Sequence, residues 1–113
     1  MSGDEWFERH LGRVRAMVIL RGFTPERTVQ LASLAWRSGI RAVEVPVQSP
    51  QSLAALEAVA EAAHASGALV GAGTILTAAQ VDEVRRAGAA FTVSPGFDAE
   101  VSRASRDALL PLL

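Results

Sequence analysis

Residues 42–47 read Ala42-Val43-Glu44-Val45-Pro46-Val47. A short run rich in β-branched side chains with one carboxylate at its centre has the composition of a strand. Alternation places Ala42, Glu44 and Pro46 on one face and Val43, Val45 and Val47 on the other. The valine row needs an apolar cover, and helical patterns stand on both sides of this strand in the sequence.

Working outward, further β-rich apolar runs lie at 17–20, 68–72, 90–93 and 109–113. Several are nearly continuous rather than alternating, as suits parallel strands covered on both faces. Thr24-Pro25 reads as N-cap and first helical residue. The helix it opens carries Leu31, Leu34 and Ala35 on one face and closes near Gly39. Ser49-Pro50 repeats the start signal, with Leu53, Leu56, Ala60 and Ala63 as the apolar stripe and Gly67 as the stop. Thr77 and Gln80 have capping-box spacing, ahead of Val81, Val84 and Gly88. Asp98 caps a further helix bearing Val101 and Ala104. An amphipathic segment at 4–13, with Trp6, Phe7 and Leu11, predicts one more helix at the N-terminus. The result is a short helix at 1–15 followed by five strands alternating with helices over 16–113, all within one α/β domain spanning 1–113. Two architectures fit this rhythm, a doubly wound sheet and a (β/α)8 barrel. No G-x-G-x-x-G follows any strand, which weighs against dinucleotide binding.

Composition narrows the function. Among 113 residues half are hydrophobic and a fifth charged, and the net charge is −1, so a basic nucleic-acid binder is not expected. There is no cysteine, which excludes disulfides, zinc–thiolate sites and a cysteine nucleophile. All 11 basic residues are arginine; without lysine, no ε-amine nucleophile is present. The opening MSGDEWFERH has no signal-peptide core and no run is long enough to span a bilayer, so the expectation is a cytoplasmic protein that does not enter membranes. The chain ends at Leu113, in an apolar strand with no covering helix after it. Such an open edge points to a longer parent protein or to a partner that completes it.

Glu44 is the most informative side chain. On the inner face of a barrel its charge is costly, so its pKa should rise, which suits a general base. The other readings are a structural carboxylate paired with an arginine and a surface-facing residue of an edge strand. Arg21, in Ile19-Leu20-Arg21-Gly22, follows the first strand at the end where barrel active sites are built. Its fork suits a carboxylate or phosphate, or it neutralises Glu44, or it is a solvated loop residue. Gly71-Ala72-Gly73-Thr74 ends the third strand with small residues that permit close approach and with one hydroxyl. Ser94-Pro95-Gly96 reads as a turn. His10 and His64 read as solvated, and Trp6 and Trp36 as packing residues. No metal-ligand spacing and no Ser/His/Asp arrangement is present.

Taken together, Ile19-Leu20-Arg21-Gly22, Ala42-Val43-Glu44-Val45-Pro46, Gly71-Ala72-Gly73-Thr74 and Ser94-Pro95-Gly96, in this order and spacing, resemble the 2-keto-3-deoxy-6-phosphogluconate / 4-hydroxy-2-oxoglutarate aldolases. Val45-Pro46-Val47-Gln48-Ser49-Pro50 resembles the 6-phosphogalactonate branch; the phosphogluconate branch usually has Thr at position 46 and Arg at position 48. The resemblance implies a class I aldolase on a (β/α)8 TIM barrel, commonly trimeric. A lysine on the sixth strand forms a Schiff base, and cleavage gives pyruvate and an aldehyde. It implies Glu44 as the proton-shuttling acid/base, Arg21 at the substrate's carboxylate or steadying Glu44, and Thr74 bonded to the pyruvyl part. No cofactor or metal is implied. The partners are a 2-keto acid, a phosphorylated sugar acid and further copies of the chain. Only the first five strands are represented, without the lysine strand, so this chain is expected to be inactive alone. The alternatives are a non-catalytic half-barrel that oligomerises or binds a small oxyacid, and another phosphate-binding barrel sharing only the βα rhythm. A half-barrel's open edges and bare inner face predict aggregation, a molten state or oligomerisation.

Overall fold

The computed structural model describes residues 2–12 and 15–113. The element order is α1 (Gly3–Leu11), β1 (Met17–Ile19), α2 (Pro25–Arg37), β2 (Ala42–Pro46), α3 (Pro50–Ser66), β3 (Gly71–Gly73), α4 (Ala78–Arg86) and α5 (Ala99–Asp107). The helix starts follow from local capping. Thr24, Ser49, Thr77 and Asp98 each accept the backbone N–H three residues on, which satisfies an otherwise orphaned donor. The N-terminal helix begins earlier than position 4, because Ser2 and Glu5 form a reciprocal capping box. Of its expected end, Arg13 lies outside the described residues.

β1, β2 and β3 form a parallel sheet in that order, with Ile19 opposite Glu44 and Glu44 opposite Gly71. Parallel bridges carry the sheet on from Ala72 to Thr92 and from Thr92 to Leu112. The five strand positions therefore stand in sequence order without reversal. A doubly wound sheet needs a reversal, and an unreversed series of right-handed crossovers stacks its helices on one face, as a barrel does. The partial-barrel expectation holds, and the doubly wound alternative falls.

Strand boundaries differ from the sequence reading: β1 and β2 each end one residue sooner, and the later strands differ more. The third strand is Gly71–Gly73, not 68–72, because Gly67 turns left-handed (φ 69°) and Ala68 donates back to Ala63 to close α3. The fourth and fifth strands are single bridges at Thr92 and Leu112. Their neighbours still bond across, as in Val93 N–H to Ala72 O at 2.8 Å and Leu113 N–H to Thr92 O at 2.9 Å. In α2 the buried face is Thr28, Ala32 and Ala35, while Leu34 is 53% exposed. Small residues face the sheet there because α2 packs closely against both β2 and α3.

The two faces of β2 do different work. Val43, Val45 and Val47 join Leu56, Val59, Val81, Val84 and Val101 in the core between sheet and helices. Ala42 faces the other way, into a second cluster with Trp6 and Phe91. Helix α1 lays Trp6, 2% exposed, against Phe91 with ring centroids 4.5 Å apart. That contact floors the inner face below Glu44. No described helix is long and apolar enough to cross a membrane.

Candidate active site

Glu44 sits mid-strand on the inner face, 4% exposed. Its room comes from its neighbour strand. A Cβ at Gly73 would overlap the Glu44 carboxylate, and one at Gly71 would overlap the Phe91 ring. The glycines of Gly71-Ala72-Gly73 are thus required by what stands over them, and Ala72 faces the core. Burial pushes the Glu44 carboxyl above its ordinary value of 4.5, and the positive charge of Arg21 pulls partly the other way. Among the described residues no side chain hydrogen-bonds this carboxylate, so its lone pairs stay open to a ligand.

Arg21 stands two residues beyond β1. Leu20 N–H bonds Glu44 O at 2.9 Å, which ties the Arg21 backbone to β2. The Arg21 side chain reaches over the strand end, where Nη1 donates to Gln48 Oε1 at 2.6 Å. The sequence left open whether Arg21 is a solvated loop residue; the structure brings its charge to bear on Glu44 and its fork to the rim.

Thr74 follows Gly73 and adopts φ 56°. A β-branched residue in the left-handed region stores strain on the order of 1–3 kcal/mol. Among the described residues the other non-glycine residue with positive φ, Leu109, belongs to a helix end, where Leu109 N–H and Leu110 N–H close back on Arg106 and Ser105. Thr74 is not at a helix end; its strain sits at a strand terminus, on the wall of a cavity of about 610 Å³. Gln48, Ser49, Leu53 and Leu76 line the same cavity. Glu44 does not line it; Thr74 does, one residue beyond the Gly73 that the Glu44 carboxylate covers.

Two residues of this rim escape sequence reading. Gln80 is recognisable as half of a capping box, and its Oε1 does accept from Leu76 N–H (2.7 Å) and Thr77 N–H (3.1 Å). Its Nε2 also donates to Val47 O at 3.4 Å, bracing the loop after β2 against the loop after β3. Gln48 is marked in the sequence only as a position where the two branches differ; its bond to Arg21 has no sequence signal. Ser94 behaves as the turn residue expected, donating to Gly96 O (2.8 Å) or Ile75 O (3.1 Å). His10 is only partly solvated. It packs on Trp6 with ring centroids 4.9 Å apart, its Nδ1 is buried without a hydrogen-bond partner, and burial first, then Arg41 and Arg9, hold its pKa below 6.5. His64 is exposed in the last turn of α3. No group of three metal-ligating side chains occurs among the described residues.

The arrangement is a buried carboxyl midway along β2 that no described side chain hydrogen-bonds, with a cation and a strained hydroxyl just beyond the C-terminal ends of the flanking parallel strands β1 and β3. That is where barrel enzymes place chemistry. It suits proton transfer to or from a bound oxyacid.

Comparison with known proteins bears on the same residues. A family model described as KDPG and KHG aldolase matches residues 8–113. The chain is 38% identical over 87 residues to the 2-dehydro-3-deoxy-6-phosphogalactonate aldolase of Escherichia coli (strain K12), covering 77% of this chain and 42% of that protein. A solved structure titled as native KDPGal superposes with a TM-score of 0.78 at 34% identity, over 85% of this chain and 46% of the other. A KDPG aldolase from Legionella pneumophila, solved with pyruvate captured as a covalent carbinolamine, superposes with a TM-score of 0.77 at 31% identity, over 86% of this chain and 46% of the other. The chain spans under half the length of each of these relatives. Match, fold and motif order agree: the chain belongs to the KDPG and KHG aldolase family.

Proposed function

We propose that this chain supplies the acid/base and carboxylate-binding half of a class I aldolase site. The substrate is a 2-keto-3-deoxy-6-phospho sugar acid or 4-hydroxy-2-oxoglutarate, and the products are pyruvate and an aldehyde. The observation that carries the reading is Glu44, buried over Gly73 with its carboxyl raised by desolvation and with Arg21 as its neighbouring charge. A carboxyl whose pKa is raised by burial can take a proton in one step and return it in the next. In retro-aldol cleavage Glu44 takes the proton of the 4-hydroxyl as the C3–C4 bond breaks and the aldehyde forms. Arg21 holds the 2-keto acid's carboxylate through its fork. Thr74 donates its hydroxyl to the pyruvyl oxygens.

The electron pair released from C3–C4 needs a sink. A class I enzyme obtains one by converting the keto carbon to an imine on a lysine, and these 113 residues contain no lysine. Alone, then, the chain does not cleave. Pyruvate followed by borohydride leaves no side-chain adduct on it. The reading requires no cofactor or metal, a cytoplasmic setting, and assembly with further copies, a trimer in keeping with the resemblance.

The test is a chimera joining residues 1–113 to the remaining half of the E. coli relative. It is expected to cleave 2-keto-3-deoxy-6-phosphogalactonate. A folded chimera that binds pyruvate covalently but does not cleave the six-carbon acid overturns the reading.

A further inference from the structure

We infer that Gln48 is the positioning residue of Arg21, an assignment that rests on the anion-binding role proposed for Arg21. The contact is the 2.6 Å bond from Arg21 Nη1 to Gln48 Oε1, made between residues 27 apart in sequence. A guanidinium donates only, so the amide must present its oxygen to it. The choice of partner matters. A carboxylate would hold Arg21 and cancel its charge. A neutral amide holds it and leaves the charge whole for an incoming anion. Among the described residues the ion pairs formed are those of Arg85 and Arg86 with Asp82, and none involves Arg21. A long arginine side chain loses rotamer freedom when it is held, so a tether that orders it in advance lowers what ligand binding must spend on ordering.

The tether stands on fixed backbone. Val47 N–H bonds Gly73 O at 3.0 Å, Val47 O accepts from Gln80, and Ser49 caps α3. Gln48 is the exposed residue between these anchors. It lines the cavity that Thr74 also lines. With its oxygen committed to Arg21, its amide N–H donors are what it can still offer there. Among the described residues Arg21 is the charged group whose field acts on Glu44. Wherever Gln48 holds Arg21, the effect is felt at the buried carboxyl.

The experiment titrates Glu44 in the 113-residue chain by NMR of 13C-labelled glutamate carboxyls, with the Glu44 signal assigned by its loss in E44Q. Q48M is compared with the native residue at position 48, with Arg21 present and in an R21M background. The expected result is that Q48M shifts the Glu44 midpoint upward when Arg21 is present and leaves it unchanged in R21M. Q48N, whose amide is withdrawn by one methylene, moves it the same way and provides a second variant should Q48M fold poorly. An unmoved midpoint in Q48M and Q48N, or equal movement in both backgrounds, overturns the assignment. No cleavage is measured. A chimera that fails to cleave leaves this coupling standing, and an absent coupling leaves the aldolase reading standing.

Discussion

At the scale of single residues, Glu44 joins the fold to the proposed chemistry. The folded chain holds its carboxyl above the ordinary glutamate value of 4.5 through burial, against the opposing pull of Arg21. Below that ordinary value Glu44 is protonated in both folded and unfolded chains, and its contribution to stability is fully present. As pH rises from there through the raised value, the unfolded chain releases a proton that the folded chain retains, and stability is lost. E44Q removes the dependence. Urea midpoints measured across pH 4–8 should therefore show E44Q gaining on the native chain as pH rises; a constant difference between them would contradict the buried, raised carboxyl. Gly73 sits under the same side chain, so G73A forces the carboxylate to move and should lower the chimera's turnover by ~10-fold or more, as expected for a displaced acid/base. Equal turnover in G73A and native chimeras would show that the carboxylate does not need its place over Gly73. Glu44 was legible because a lone carboxylate in a valine-rich strand leaves few alternatives. Gln48 and Gln80 were not, because their partners lie 27 and 33 residues away and only the closed fold brings them together.

At the scale of elements, local signals read well and long-range ones less so. Four caps, at Thr24, Ser49, Thr77 and Asp98, act within three residues of themselves and stand where the sequence placed them. The third strand was misplaced because Ala68 is drawn back to finish α3, a contest between helix end and ladder that composition does not decide. Leu34 was assigned to the core by periodicity, yet the close approach of α2 to its neighbours selects Thr28, Ala32 and Ala35 instead. Helix α1 shows what tertiary packing adds. Trp6 covers Phe91, and Phe91 covers Gly71. W6A should destabilise the chain by ~3–5 kcal/mol, the usual range for emptying a buried aromatic site, as read from urea denaturation by circular dichroism. A loss under 1 kcal/mol would mean α1 is not seated on the inner face. His10, packed on Trp6 and depressed by burial, adds a stabilising contribution present above its ordinary value of 6.5 and lost as pH falls through its lowered one.

At the scale of the molecule, five strand positions in unreversed order form an open sheet. Ile19 on the inner face is 54% exposed, and Phe97 and Leu109 are 87% and 89% exposed. The 113-residue chain should therefore melt at a temperature that depends on its concentration; a sharp, concentration-independent melt from a monomer would contradict this. The alternation of strands and helices was legible from periodicity alone, whereas the choice of barrel over doubly wound sheet came from the family resemblance, and the strand order agrees with it. The central claim is that Glu44 moves the proton while the nitrogen nucleophile comes from elsewhere. The most direct test compares Glu44 with E44Q in the chimera, measuring cleavage of 2-keto-3-deoxy-6-phosphogalactonate beside borohydride trapping of pyruvate. The prediction is that cleavage falls by ~10²–10⁴-fold in E44Q, as for loss of a general acid/base, with covalent trapping retained. Cleavage as fast in E44Q as with Glu44 would contradict it.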